Sequence, residues 1–384
     1  RIKAFITEQK PQNAVVIGGG FIGLEMVENL KEAGLEVCII ERLNQVMAPL
    51  DFSMATYVHQ ELRNKGVGLL LEENVTRFTP TPNGVQVHTE SGKQIDTDLV
   101  ILSIGVRPET KLAKEAGLTI GKSGGIQTDE YMQASDKDIY AVGDAAETFN
   151  PVLNCYQVVP LAGPANKQGR IVANNIAEGN KSTYKGTIAT SIAKVFGLTV
   201  AATGASSKLL DREGIKHLTS YTHANSHAGY YPGGMPLSIK INFSSPDGKL
   251  YGAQVVGYDG VDKRIDLFAQ VIKMGGTIYD LQEIEHAYAP PFSSAKDPVN
   301  MAGFMAQNIL EDKVKVVFWD DIDKLGEDTV VIDIRTQEEF EMGHIEGAIN
   351  IPVDDIRSKQ DKIPQGKKLI VYCVVGQRGY VAAR

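Results

Sequence analysis

Cysteine is scarce. Only Cys38, Cys155 and Cys373 occur in 384 residues, far apart and with no CxxC pair. That spacing excludes a disulfide framework and a cysteine-rich zinc site, and it fits a reducing, cytoplasmic compartment. Long apolar runs are missing as well. None approaches the roughly 18 residues needed to cross a bilayer, so no membrane partner is expected. The opening Arg1–Lys10 has neither the apolar core nor the small-residue cleavage site of a secretory signal. Positive charge is not in excess: 39 basic against 47 acidic residues leave a net charge of −8. A nucleic-acid partner is therefore not expected either.

What is present is an ordinary globular composition, 43% apolar and 22% charged, which argues against disorder. At roughly 100–200 residues per domain the length predicts two to three domains. Glycine, at 38 residues, exceeds its usual share of about 7% and points to several tight backbone sites. The chain opens on Arg1 rather than Met and closes on Val381–Arg384, the start of a helical pattern with no terminator. Both ends read as cuts, so further sequence is expected beyond each.

The first chemical signal follows a β-branched run. Asn13–Ile17 predicts a buried parallel strand, leading into Gly18-Gly-Gly-Phe-Ile-Gly23. A helix is expected over Leu24–Ala33 with Gly34 at its C-cap, then a second strand over Glu36–Ile40. In this βαβ context Gly18 supplies a tight turn, Gly20 a close approach to a pyrophosphate, and Gly23 close helix–strand packing. The free N–H groups at the helix start attract the phosphates. Glu41, at the end of the second strand, can accept hydrogen bonds from the adenosine ribose and repels a 2′-phosphate, which favours NADH. Arg42 beside it leaves NADPH open. Cys38 reads as a small buried apolar residue.

Further strands are expected at Val67–Leu71, Val85–Val87 and Asp98–Leu102, the last ending in Gly105-Val-Arg-Pro108. Strands at Gly124–Thr128 and Ile139–Val142 lead to a strand-to-helix turn at Gly143-Asp144. Cys155 follows in a loop-like stretch with no basic neighbour to activate it. A helix from about Gly163 to Ile176 comes next. Thr190–Val256 is strand-rich, followed by helices over Asp262–Met274 and Pro298–Gln307, a candidate linker at Glu311–Val314, and strands at Val330–Ile332 and Leu369–Tyr372. His223-x3-His227 has no third ligand nearby, so no metal site is expected.

Gly18–Glu25, Gly105–Pro108 and Ile139–Asp144 together resemble the flavin-dependent pyridine-nucleotide disulfide oxidoreductases. The resemblance implies an NAD domain inserted into an FAD domain, followed by an interface domain that builds a homodimer. Asp144 would then bond an oxygen of FAD, with Gly143 letting the backbone come close. Val159–Arg170, including Leu161 and Ala162, is similar to the helix start that places N–H groups beside the flavin ring. Glu25 lies near the nicotinamide in that family; it is equally an acidic residue that favours an early helical turn. The family's own FAD glycine motif and redox cysteine are not in this sequence. A preceding segment on the order of 100 residues is expected to carry them, and the flavin site is expected to be built here only in part.

Toward the other end, Asp333-Ile-Arg335, Glu339-Phe340, Gly343–Ala348 and Ile351-Pro352 resemble rhodanese domains. The strand Leu369–Tyr372 runs into Cys373-Val-Val-Gly-Gln-Arg378. A six-residue loop ringed by backbone N–H groups can hold a thiolate or persulfide, and Arg378 adds charge at its rim. A related phosphatase loop is one residue longer, so sulfur is favoured over phosphate. The usual serine after the loop arginine is Gly379 here.

Tyr288–Val299 and His227–Gly234 are similar to the coenzyme A-disulfide and persulfide reductase branch, in which two interface-domain tyrosines reach the partner's redox cysteine. Tyr288 fits one and Tyr230 the other, with Tyr231 its neighbour. A phenol can donate to a developing thiolate; the same residues also suit plain amphipathic packing.

The expected fold class is α/β: a Rossmann-type NAD domain inserted in an FAD domain, an α+β dimerisation domain and a partial α/β rhodanese domain. The expected boundaries are 1–10 for the tail of a preceding FAD segment, 11–125 for the nucleotide domain, 126–188 for the remainder of the FAD domain, 189–311 for the interface and 312–384 for a truncated rhodanese domain. The expected activity is NADH-to-FAD electron transfer to a coenzyme A persulfide, polysulfide or coenzyme A disulfide, with sulfane sulfur carried on Cys373. Two alternatives stay open: an NADH oxidase or peroxidase with an accessory rhodanese, and a redox-sensing module that is not an enzyme.

Overall fold

The structure, a computed structural model, describes residues 1–384. The opening residues form a helix, Ile2–Gln9, with no buried side chain. The nucleotide unit is built on a four-stranded parallel sheet in the order Gly68–Leu70, Glu36–Ile40, Asn13–Ile17, Leu99–Leu102. Alternate residues of its strands face opposite ways, and both faces are covered. Ala14, Val16, Val37 and Ile39 pack against the helices Phe21–Glu32 and Phe52–Asn64. Val15, Ile17 and Ile40 pack with Val87 of a three-stranded antiparallel sheet, Val75–Thr81, Gly84–Thr89 and Gln94–Thr97. Burial on both faces explains why these strands read as continuous apolar runs rather than alternating ones.

The helix after the glycine turn starts earlier than expected, at Phe21, because Gly20 already stands at its N-cap. Its far end is as anticipated: Gly34, at φ +90°, donates its N–H to the Lys31 carbonyl. The helix Phe52–Asn64 was not foreseen, although Met54, Ala55, Val58 and Leu62 carry helical spacing on its buried side.

The segment 126–188 departs from expectation. Gly124–Thr128 and Ile139–Val142 are not strands. They make single bridges only, Ile126 with Ile120 and Ala146, and Tyr140 with Gln133, so neither short run finds a ladder to extend. The regular pairing here is instead a ribbon, Glu147–Asn150 with Cys155–Val158. Cys155 is thus the first residue of a strand, not part of a loop. The Asn150 side chain accepts from the N–H of Val152 and Leu153, which turns the chain tightly enough to pair Cys155 back against Asn150. The helix Ala162–Glu178 follows.

The interface unit is a five-stranded antiparallel sheet in the order Ser191–Val195, Leu198–Gly204, Leu250–Gly257, Pro236–Phe243, Leu218–Asn225. Val195, Leu198, Val200 and Val256 join the core of the nucleotide-unit helices. The other face packs against Val261–Lys273, Ile278–Glu283 and Pro298–Leu310. His223 lies inside a strand rather than a loop, and its Nδ1 is 2.9 Å from Ser238 Oγ.

The last unit has a small parallel sheet, Ile349–Asn350, Thr329–Asp333 and Lys368–Tyr372, over a core of Ile332, Ile334 and Ile351. It touches the rest of the molecule through aromatic contacts of Phe318 with Tyr221 and Trp319 with Phe52, and through Asn308 Nδ2, which donates to Tyr380 Oη at 2.9 Å. No helix is long and apolar enough to cross a membrane.

Candidate active site

The glycine turn is dictated by close approaches of backbone. A side chain on Gly18, at φ +103°, would lie 2.1 Å from the Ser103 carbonyl oxygen, and one on Gly23 would lie 2.0 Å from the Gly18 carbonyl oxygen. Both positions therefore require glycine. Gly20 is different: it is exposed and open, with nothing near enough to meet a side chain. The N-terminus of Phe21–Glu32 has no side-chain cap, so its leading N–H groups are free for phosphate oxygens. Glu41 folds back onto the turn, where its carboxylate accepts from Gly19 N at 2.7 Å and Leu43 N at 2.8 Å. It stands at the end of its strand, where a ribose would be read. Glu25 lies one turn into the helix with its side chain exposed. Gly105, at φ +93°, is exposed beyond the strand Leu99–Leu102.

The flavin-type residues gather at the start of the helix Ala162–Glu178. Leu161 is its N-cap residue and no side chain caps it, leaving the Ala162 and Gly163 N–H groups for an acceptor such as a flavin ring carbonyl. Gly143, at φ +69°, opens a short 3-10 turn and donates its N–H to Gln168 Oε1 at 2.7 Å. Gln168 is almost wholly buried; it joins the helix to this turn. Asp144 stays exposed beside it. The residues present thus fit their part of a dinucleotide-and-flavin site. A cleft of about 550 Å³ has Phe21 and Pro49 from the nucleotide unit on one side, Pro160 and Leu161 on another, and Lys208 and Arg212 from the interface unit completing it.

The structure brings Tyr230 and Tyr288 together although they are 58 residues apart: their hydroxyls are 2.8 Å from one another. Both rings are exposed, with Phe292 alongside in sequence and equally exposed. The hydrogen bond with Tyr230, followed by partial loss of solvent, pushes the Tyr288 phenol above its usual range. Tyr231, also exposed, meets His227 edge-on.

In the last unit, Cys373 opens its loop directly after the strand Lys368–Tyr372, and its Sγ accepts from Gly376 N at 3.2 Å. Arg378 does not point freely from the rim. Its Nη1 and Nη2 each donate to Glu339 at 2.7 Å, a two-pronged pair. Hydrogen bonds from Arg378 hold the Glu339 carboxyl down at about 2, and Glu339 in turn raises the guanidinium. The motif around His344 is scaffolding: Arg335 clasps buried Asp333 and reaches the Gly343 carbonyl, while His344 stacks on Phe340 at 3.6 Å. Gly379 is not sterically required, since a side chain there would meet its neighbours at ordinary contact distance, 3.5 Å from the Val371 oxygen.

Two residues with evident roles carried no role in the sequence reading. Gln168 and Glu339 each sit within a recognised motif, yet only the tertiary fold shows what they hold. No cluster of three or more His, Cys, Asp or Glu side chains converges as a metal site would.

Comparison with known proteins identifies the family and its domains. The pyridine nucleotide-disulphide oxidoreductase profile matches residues 2–169, the dimerisation domain of the same family residues 190–298, and a rhodanese-like domain residues 318–384. A coenzyme A disulfide reductase of Staphylococcus epidermidis is 33% identical over 306 residues, 80% of this chain and 68% of the relative. An NAD(P)H coenzyme A polysulfide/persulfide reductase of Pyrococcus horikoshii is 34% identical over 78% of this chain and 66% of its own length. Among solved structures, reduced Bacillus anthracis CoADR-RHD superposes with a TM-score of 0.96 at 50% identity, covering 100% of this chain and 69% of that one. A NAD-dependent persulfide reductase from A. fulgidus gives 0.93 at 36% identity, covering 99% and 70%. The chain belongs to the pyridine nucleotide-disulphide oxidoreductase family and carries a rhodanese-like domain after its dimerisation domain.

Proposed function

We propose that the protein is an FAD-dependent NAD(P)H oxidoreductase that reduces a sulfur substrate of the coenzyme A persulfide, polysulfide or coenzyme A disulfide class. The net persulfide reaction balances as CoA-SSH + NADH + H⁺ → CoA-SH + H₂S + NAD⁺. The observation that carries the reading is the Tyr230–Tyr288 hydroxyl pair, exposed at 2.8 Å on the interface unit of a chain that also holds a cysteine loop. Two phenols in contact can donate to a sulfur leaving as thiolate while one retains a hydrogen-bond partner.

In this reading Gly18, Gly20 and Gly23 admit the pyrophosphate, Glu41 reads the ribose and favours NADH, and Glu25 and Gly105 line the approach to the nicotinamide. Gly143, Asp144, Leu161 and Ala162 hold their share of FAD, which when bound passes electrons from nicotinamide to sulfur. The cleft walled by Phe21 and Leu161 lies between the two cofactor sites. Cys373 carries sulfane sulfur, cradled by the Gly376 N–H, and hands it on by exchange: Cys373-SSH + CoA-S⁻ → Cys373-S⁻ + CoA-SSH. Glu339 fixes Arg378 at the loop.

The functional units run 11–125, 126–188, 189–311 and 312–384, and the exposed tyrosine face of the third docks a second copy in a homodimer. Three unpaired thiols suit the cytoplasm. The test is anaerobic: NADH should bleach the flavin, and coenzyme A persulfide should then restore its colour with one sulfide released per NADH. Reoxidation by oxygen alone would contradict the reading and favour an NADH oxidase.

A further inference from the structure

Beneath the tyrosine pair lies a charged cluster that the reaction itself does not use. Arg264, in the helix Val261–Lys273, is 1% exposed, and its partners Asp297 and Ser293 are 0% exposed. Its Nη2 donates to Asp297 Oδ2 at 2.9 Å, to the Ser226 carbonyl at 2.7 Å and to Ser293 Oγ at 3.4 Å. Nη1 donates to the Gly260 carbonyl at 3.0 Å, and Nε to Asp297 Oδ1 at 3.4 Å. Ser293 Oγ also donates to Asp297, and the Ser293 carbonyl accepts from Ala228 N at 2.9 Å. Asp297 caps the helix Pro298–Leu310 through Val299 N at 3.0 Å. His286, two residues before Tyr288, brings Nδ1 to 3.8 Å from the same carboxylate.

The connectivity is specific. Ser226 and Ala228 begin the loop that carries Tyr230, and Met235 closes that loop back onto Ser226. Ser293 ends the turn that carries Tyr288, with its N–H returned to the Ala289 carbonyl. One guanidinium and one carboxylate therefore tie both tyrosine-bearing loops to the same two helices. A buried Arg–carboxylate pair of this kind is costly to desolvate, and its net contribution to stability is small or negative against an apolar substitute. What a buried pair does supply, when its guanidinium, carboxylate and serine are hydrogen-bonded as Arg264, Asp297 and Ser293 are, is a single geometry.

We propose that Arg264, Asp297 and Ser293 are positioning residues that hold the Tyr230 and Tyr288 hydroxyls at hydrogen-bond distance and so set the rate of the sulfur half of the reaction. The inference rests on the functional reading above. It assigns to residues that never touch substrate the task of keeping two exposed phenols, each on a loop, in register. An offset of about 1 Å at such a site is enough to cost on the order of a hundredfold in rate.

The test compares Ser293→Ala and Arg264→Lys with Tyr288→Phe in the FAD-loaded holoenzyme. Arg264→Lys keeps the buried charge but loses the fork that spans Asp297 and Ser226. Two rates are read for each: NADH oxidation by ferricyanide, which bypasses the tyrosines, and sulfide release from coenzyme A persulfide. The expected result is at least a tenfold fall in kcat for sulfide release, with the ferricyanide rate and the KM for NADH unchanged. Ser293→Ala combined with Tyr288→Phe should be no slower than Tyr288→Phe alone, since the two act through one group. A purely structural role would depress both rates together, or add to the tyrosine defect, and would overturn the proposal; unchanged sulfide release in both positioning variants would do the same. If Tyr288→Phe and Tyr230→Phe themselves leave sulfide release intact, the functional reading fails along with it. If only the tyrosine variants are impaired, that reading survives and the positioning role alone is lost.

Discussion

Two arginine–carboxylate pairs anchor loops of this molecule, one the two loops that carry Tyr230 and Tyr288 and the other the loop of Cys373, and they work in opposite ways. Arg264–Asp297 has side-chain exposures of 1% and 0%, whereas Arg378–Glu339 has 35% and 27%. The first pair is enclosed, with main-chain carbonyls and a serine completing its hydrogen bonds. The second stands half in water beside Cys373. Burial makes the first pair a fixed joint whose loss leaves an uncompensated charge inside the protein. Exposure makes the second a clasp that water can replace, contributing geometry to one loop and little to stability.

The comparison breaks most visibly at the buried pair. Asp297→Ala strands a guanidinium in the core and should cost about 3–5 kcal/mol of stability, measured as a lowered urea midpoint of the interface unit. Replacing Arg264 and Asp297 together by apolar residues of similar volume should recover most of that loss while leaving sulfide release impaired.

Acid separates buried from exposed groups next. His59, 3% exposed, accepts from Val46 N at 3.2 Å, and burial together with the Arg63 charge lowers its pKa from 6.5 to about 4. It is neutral in the fold and protonates more readily when unfolded. Its contribution is therefore complete above pH 6.5 and is lost as pH falls toward about 4, on the order of 3 kcal/mol in all. Thermal melts across that window should show the decline, and His59→Gln should flatten it. Glu339 behaves in the same sense but lower on the scale. Its carboxyl is held at about 2 against an ordinary 4.5, so the clasp is whole above 4.5 and opens only as pH falls toward about 2. Sulfur transfer at Cys373 should accordingly show no acid limb from this pair between pH 5 and 7.

The smallest effect is expected at the clasp itself. Glu339→Gln should slow sulfur transfer to Cys373 about tenfold, the worth of roughly 1.4 kcal/mol in a barrier, with the urea midpoint unmoved. A shifted midpoint would erase the distinction between the two pairs.

The same contrast explains what could be read from the sequence. Gly18 and Gly23 are visible because a backbone approaching within about 2 Å of their Cβ positions leaves no other residue type, and that requirement recurs at fixed spacing. Cys373 through Arg378 is visible for a similar reason, as a loop of set length between a strand and a helix. Tyr230 and Tyr288 were legible only through resemblance, since nothing local brings residues 58 apart to 2.8 Å. Arg264 looks like any helical arginine until the loops from Ser226 and Ser293 close over it. The error at Gly124–Thr128 and Ile139–Val142 has a related origin: an apolar run declares burial, but a ladder needs a neighbour, and these runs find only single bridges. Cys155 was misplaced because the turn that pairs it depends on the Asn150 side chain, a signal weaker than the composition around it.

One measurement bears most directly on the claim that the cysteine loop feeds the tyrosine site. Wild-type holoenzyme and Cys373→Ser are each given NADH without oxygen, first with preformed coenzyme A persulfide and then with polysulfide plus coenzyme A, and sulfide is followed. The account predicts that Cys373→Ser matches wild type on the preformed persulfide and falls far behind when the persulfide must first be made. Equal rates for both proteins under both conditions, or no sulfide from either, would contradict it.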